Sequence, residues 1–198
     1  VVAMSAYPHF NPNNISESEP YQRKNRTITD LFEPGSTLKT FAIAGALREK
    51  LITPNKKYNT ENGSLKVGDR IIREAELDHK WKELTVSEIL AFSSNIGTTK
   101  IAFELGDEKL RNALSDFGFG AKSGIDLPGE AKGTLHPTPW MPHLLSNISF
   151  GQGISGTSLQ VANAYAAIAN GGVLHKPYVV HSFKDPDTGL EEIKAPQE

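Results

Sequence analysis

The order of helical and extended segments is what most constrains this chain. Helix-period stretches and short extended runs are mixed along it without a regular strand–helix–strand alternation. That favours an α+β fold over a doubly wound parallel sheet. The best helix spans residues 36 to about 51. Leu38, Phe41, Ala42, Ala46 and Leu47 recur with a 3.6-like rhythm, Ser36 stands at an N-cap or first-turn position, and Pro54 lies just past the end. Thr85-Val86-Ser87-Glu88 and Thr157-Ser158-Leu159-Gln160 fit the capping box, in which an N-cap hydroxyl and the side chain three residues on each satisfy the other's backbone N–H. The second box opens a helix to residue 170, stopped by Gly171-Gly172. Further helices are expected over 95–105 and 107–117. Residues 1–7 read as a strand broken at Pro8, 70–72 as a short strand, and 144–150 as a strand or short helix. Residues 173–194 read as strand, turn and strand, and residues 118–143 as a long Gly/Pro loop.

Composition narrows the chemistry. The 198 residues make about one domain, large enough to bury a core without disulfides or metal. The net charge of −2 lacks the basic footprint of a nucleic-acid binder, so no nucleic-acid partner is expected. The absence of cysteine excludes disulfides, cysteine-ligated zinc, iron–sulfur clusters and thiol nucleophiles together. The six histidines show no paired ligand spacing, so no metal is expected, and His136 and His143 read as loop residues. Trp81 and Trp140 read as packing anchors. Gly151-Gln152-Gly153-Ile154-Ser155-Gly156 formally matches G-x-G-x-x-G. A dinucleotide site also needs a βαβ unit and an acidic residue ~20 positions on, where this chain has Lys176. The glycines read as a turn before a capped helix, and no cofactor is expected.

One Ser-x-x-Lys occurs, at Ser36-Thr37-Leu38-Lys39. Residues three apart on a helix share a face, so the lysine amine can lie against the serine hydroxyl. A serine becomes a nucleophile only when a neighbour takes its proton. A lysine can do so once burial and a helix N-terminus lower its pKa. The Pro34-Gly35 turn would present the hydroxyl at the helix tip. Taken alone the motif says little. At common usage chance supplies about one Ser-x-x-Lys in a chain of this length, and the bland reading is a capped, solvated helix start. Ser93-Ser94-Asn95, between two helical stretches, could offer a hydroxyl for proton relay and an amide for orienting a peptide, but such residues are most often caps.

Context changes this reading. Glu33-Pro34-Gly35-Ser36-Thr37-Leu38-Lys39 resembles the active-site serine motif of class B penicillin-binding proteins, and Ser93-Ser94-Asn95-Ile96-Gly97 their second motif. Ala3-Met4-Ser5-Ala6-Tyr7-Pro8 and Phe10-Asn11-Pro12-Asn13 are similar to the family's strand and loop before that serine. Phe117-Gly118-Phe119-Gly120 and Gly124-Ile125-Asp126-Leu127-Pro128-Gly129-Glu130 are similar to its central loop. Ser149-Phe150-Gly151-Gln152-Gly153-Ile154-Ser155 resembles a segment of the division-specific, septal branch, and the likeness runs in order from Val1 to about Val180. The resemblance implies a transpeptidase fold of the penicillin-binding protein and serine β-lactamase type, with an antiparallel sheet packed between helices. It implies a peptidoglycan D,D-transpeptidase in septal wall synthesis, working on D-Ala-D-Ala stem peptides, acylated by β-lactams, and partnered by divisome membrane proteins. The implied roles are nucleophile for Ser36, general base for Lys39, proton relay for Ser93, and substrate hydrogen bonding or support of Lys39 for Asn95. The Ser36 backbone N–H is the implied oxyanion donor.

The family's third motif, Lys-Thr/Ser-Gly on an edge strand, has no match after residue 170: Asp187-Thr188-Gly189 lacks the lysine. Lys122-Ser123-Gly124 matches in letters but lies in a loop context. The expectation is therefore a transpeptidase domain over 1–198 that is incomplete at both ends. It would have lost a membrane anchor and pedestal upstream and its C-terminal strands downstream, and would fold only within a larger chain, facing the periplasm or cell exterior. Other readings of the same fold are a β-lactam sensor, a non-catalytic divisome scaffold, or a β-lactamase or D,D-carboxypeptidase.

Overall fold

The computed structural model describes residues 1–76 and 78–193. Its helices are α1 (Arg26–Thr29), α2 (Lys39–Arg48), α3 (Val86–Ala91), α4 (Asn95–Leu105), α5 (Asp107–Asp116), α6 (Pro142–Ser149) and α7 (Ser158–Ala169). Its strands are β1 (Lys57–Asn59), β2 (Ser64–Val67), β3 (Arg70–Arg73), β4 (Glu83–Thr85), β5 (Ser182–Lys184) and β6 (Glu191–Ile193). They pair antiparallel as β1–β4, β2–β3 and β5–β6, so the chain is a mixture of helix and antiparallel sheet as expected. The contacts divide it into two compact units. One comprises Val1–Phe32, Gly118–Gly133 and the chain from Gly156 onward; the other comprises Glu33–Phe117 and Thr134–Ser155.

The second unit carries the helical core. α2 packs on α4 and α5, and α4 on α6. Leu38 just before α2 and Phe41, Ala42, Ile43 and Ala46 on it are buried, while Leu47 faces out. Phe41 meets Phe117 with ring centroids 4.8 Å apart. Gly45 lets α2 approach closely, because a Cβ there would sit 2.8 Å from the Cβ of Ala113. The β2–β3 hairpin closes through Gly68-Asp69 between the paired Val67 and Arg70. A glycine first in a two-residue loop suits a type II′ turn. Its inner face packs Val67 and Ile72 against Ile96 of α4 and Phe150. Period-two alternation then turns Glu74, two residues past Ile72, to the same buried side.

In the first unit Ile28, Ile125 and Leu159 form a small core with Met4 and Leu127 packed against it. The Thr157 capping box forms as read. Thr157 Oγ1 accepts from the Gln160 N–H at 3.2 Å, and Gln160 Oε1 accepts from the Thr157 N–H at 2.8 Å. The buried Gln160 Nε2 also donates to the carbonyls of Ala121, Lys132 and Gly118, at 2.6, 3.0 and 3.3 Å, and so ties the long loop to α7.

Some local expectations are corrected. Residues 1–7 are irregular, because no partner strand pairs with them among the described residues. Residues 173–181 are irregular too; only β5 and β6 form the hairpin, and Lys194 lies outside the described residues. The 144–150 ambiguity resolves as α6, with Pro142 at its first turn, which places His143 on a helix and not in a loop. The helix read from residue 36 begins as a 3-10 turn over Gly35–Leu38 and becomes α only at Lys39.

Candidate active site

Ser36 lies exposed in that 3-10 turn, and Lys39 begins α2 with its side chain 1% exposed. Residues three apart eclipse in a 3-10 turn, and the Lys39 N–H donates to the Ser36 carbonyl, so the two are stacked along the helix entrance. The turn is pinned from several sides. Thr37 Oγ1 donates to the Pro34 carbonyl at 2.8 Å, the Gly35 N–H to the Gly151 carbonyl at 3.0 Å, and the Gly153 N–H to Glu33 Oε1 at 2.8 Å. The glycine run that imitates a nucleotide fingerprint therefore braces the serine turn. At Gly151, with φ of +85°, a Cβ would fall 2.0 Å from the Gly35 carbonyl oxygen.

Ser93 meets Lys39 from α3. The helix ends in a Schellman motif: the Ser93 N–H donates to the Leu90 carbonyl at 3.2 Å and the Ser94 N–H to the Ile89 carbonyl at 2.9 Å. The residue in the left-handed conformation, where glycine is usual, is Ser93, with φ of +57°. That backbone costs roughly 1–2 kcal/mol for a residue with a Cβ. It turns both oxygens of Ser93 to one neighbour: Lys39 Nζ donates to the Ser93 carbonyl and, at 2.9 Å, to Ser93 Oγ. Burial pushes the Lys39 ammonium down to about 8, against an opposing pull from the Glu74 carboxylate.

Ser94 is the N-cap of α4, its Oγ accepting from the Gly97 N–H at 2.9 Å. Asn95 opens that helix half-buried, and its Nδ2 donates to the Arg73 carbonyl at 2.9 Å. Glu74, which the sequence reading passed over, joins these residues from beneath. Its carboxylate accepts from Ser94 Oγ at 2.7 Å and from the Asn95 N–H at 2.6 Å, and it is 5% exposed. The available signal was an acidic side chain two residues past a core isoleucine in a hairpin. The four residues singled out in the sequence thus lie in one unit, with Ser93 bonded directly to Lys39 and Asn95 bonded to the hairpin end beside Glu74.

Lys122-Ser123-Gly124 behaves otherwise. The Ser123 N–H and the Gly124 N–H donate to the buried Glu130 carboxylate at 2.7 and 3.1 Å, as does Ser123 Oγ, in a loop with no strand. Trp140 is buried, its N–H donating to Asp107 Oδ2 at 2.8 Å, whereas Trp81 stacks on Phe92 at 5.3 Å. Glu76, Asp78 and His79 stand together at the surface, His79 Nε2 lying 3.1 Å from Glu76.

The family model described as the penicillin binding protein transpeptidase domain matches residues 1–198. The chain belongs to the penicillin-binding protein transpeptidase family. Peptidoglycan D,D-transpeptidase FtsI of Escherichia coli is 34% identical to it over 191 residues, 96% of this chain and 31% of that protein. Stage V sporulation protein D of Bacillus subtilis is 34% identical over 195 residues, 95% of this chain and 29% of that protein. Among solved structures, the transpeptidase domain of Burkholderia pseudomallei penicillin-binding protein 3 superposes with a TM-score of 0.75 at 35% identity, covering 88% of this chain and 51% of that one. Penicillin-binding protein 3 of Mycobacterium tuberculosis, complexed with aztreonam, gives 0.82 at 29% identity, covering 92% and 41%. The chain thus spans about three tenths of the length of the curated penicillin-binding proteins it matches. Among the described residues no helix is long and apolar enough to cross a membrane.

Proposed function

We propose that this chain, over 1–198, is transpeptidase-domain sequence of a septal class B penicillin-binding protein, a peptidoglycan D,D-transpeptidase working through a serine acyl-enzyme. The observation that carries the reading is an exposed Ser36 one turn before a buried lysine whose Nζ is hydrogen-bonded to Ser93 Oγ at 2.9 Å. A lysine lowered to about 8 keeps a neutral fraction near neutral pH and can serve as base.

Lys39 Nζ takes the Ser36 hydroxyl proton as Ser36 Oγ attacks the penultimate D-Ala carbonyl of a stem peptide. The oxyanion is met by the Ser36 backbone N–H. When the tetrahedral intermediate collapses, the proton passes through Ser93 Oγ to the departing amine, and the terminal D-Ala leaves. Asn95 hydrogen-bonds the substrate backbone. An amine of a neighbouring stem peptide then attacks the ester and gives up its proton to Lys39; as the bond between Ser36 Oγ and the acyl carbon breaks, that proton passes to Ser36 Oγ, leaving Lys39 neutral and the cross-link formed. A β-lactam carbonyl takes the place of the peptide in the first step. The same reading places the domain outside the cytoplasmic membrane, anchored by a larger protein and accompanied by divisome membrane proteins.

Labelled penicillin and intact-mass analysis test it. One covalent adduct located at Ser36, absent in Ser36→Ala, is expected. An adduct that survives that substitution would falsify the assignment of the nucleophile.

A further inference from the structure

The described residues hold a second buried charged group beside Lys39, and none of the proposed chemical steps uses it. Glu74 follows β3, with its backbone at the edge of the β2–β3 hairpin and its carboxylate under the start of α4. A carboxylate this deeply buried is costly unless its lone pairs are met. Here each oxygen has its own partner: Oε1 takes the Ser94 hydroxyl and Oε2 the Asn95 N–H. The Asn95 side chain returns a bond to the Arg73 carbonyl, so the hairpin end and the helix start are clasped at three points.

Ser93 immediately precedes this clasp. It sits in a left-handed conformation that a flexible connection would relax, yet both of its oxygens must stay on Lys39 Nζ. Strained backbone of this kind persists where surrounding contacts over-determine it. We infer that Glu74 is a positioning residue of this site, a buried carboxylate that clamps Ser94 and Asn95 from the inside and so holds the Ser93 oxygens against Lys39. The inference rests on the transpeptidase reading for its kinetic consequence and on the hydrogen bonds alone for its structural one. Glu74 is also the charged group whose field reaches Lys39, favouring the ammonium against burial.

Glu74→Gln keeps the shape but replaces one acceptor with a donor. One of two donors, the Ser94 hydroxyl or the Asn95 N–H, then faces an NH2 group. Glu74→Asp keeps the charge on a shorter arm. The experiment compares both with the unaltered protein by the second-order rate of Ser36 labelling with a fluorescent penicillin between pH 6 and 9.5, and by amide hydrogen exchange over residues 93–97. Displacing a reacting group by about 1 Å can cost ~100-fold, so Glu74→Gln is expected to label about 10- to 100-fold more slowly, with Glu74→Asp between it and the unaltered protein. Exchange at Asn95 is expected to rise in Glu74→Gln. Removing the carboxylate charge should also move the acid limb of the pH profile to lower pH, a shift that loss of packing alone would not cause. Labelling within twofold of the unaltered protein, or unchanged exchange at Asn95, overturns the proposal. If Glu74→Gln does not fold, Glu74→Asp and Ser94→Ala carry the same readouts. If the unaltered protein is not labelled at all, the transpeptidase reading fails, while the exchange data still decide the clamp.

Discussion

Gly151 has no side chain where the Gly35 carbonyl lies: an added Cβ would come within 2.0 Å of that oxygen, and of the Gly35 carbonyl carbon and nitrogen at 2.5 Å. All three atoms are backbone of the turn that presents Ser36. They cannot swing aside as a flexible side chain would. Gly151→Ala is therefore expected to displace the serine turn, lower stability by more than about 1 kcal/mol, and slow penicillin labelling at least tenfold. Thermal melting together with labelling rate checks this. A variant with the labelling rate unchanged would show that the turn is held by the Thr37–Pro34 and Gly153–Glu33 bonds without the close approach at Gly151.

The Lys39 ammonium, lowered to about 8 by burial, sets a pH dependence. If its neutral form is the base, the acylation rate rises about tenfold per pH unit below pH 8 and levels off above it. The linkage runs the same way for stability. Between pH 8 and the ordinary lysine value the unfolded chain binds the proton more tightly, so the contribution of Lys39 becomes less unfavourable as pH rises through that window. Labelling rates from pH 6 to 9.5 measure the first effect. A flat profile would remove Lys39 from the role of base.

Ser93 separates structural from chemical roles. Ser93→Ala keeps the left-handed backbone strain but removes the hydroxyl, and is expected to slow acylation by about 100- to 10,000-fold with little change in folding. Ser93→Gly removes the hydroxyl and the strain together. It should be equally slow but more stable, by about 0.5–1 kcal/mol. Urea unfolding of the two variants side by side tests the difference, and equal stabilities would argue against stored backbone strain.

Gln160→Leu preserves volume and deletes the amide that serves three loop carbonyls and the Thr157 N–H. A destabilisation of about 1–3 kcal/mol is expected, because the lost partners include buried groups. Melting temperature reads it. Penicillin labelling at a temperature where the variant remains folded should change much less than in the Ser93 variants.

Much of this was legible in the sequence for local reasons. Capping boxes at Thr85 and Thr157 declare helix starts because the partners lie three residues apart, and both form as read. The Ser36/Lys39 relation is likewise a matter of one helical turn. What stayed hidden depends on distant pairing. Residues 1–7 have a strand-like composition and, among the described residues, no strand beside them. Gly151 reads as one glycine of a turn before a capped helix until the Gly35 carbonyl is placed against it. Glu74 is one of many acidic residues until the hairpin folds it under residues 94 and 95, 20 and 21 positions away.

The double contact between Lys39 and Ser93 has a consequence in counted hydrogens. A lysine ammonium carries three and a neutral amine two. The Ser93 carbonyl and hydroxyl oxygens accept two. An uncharged Lys39 that keeps both bonds has spent every hydrogen it owns, and one electron pair is left pointing elsewhere. A single serine, by turning two acceptors to the same nitrogen, thus selects the orientation of the amine as well as its position, so that the next hydrogen it meets is one it can only receive.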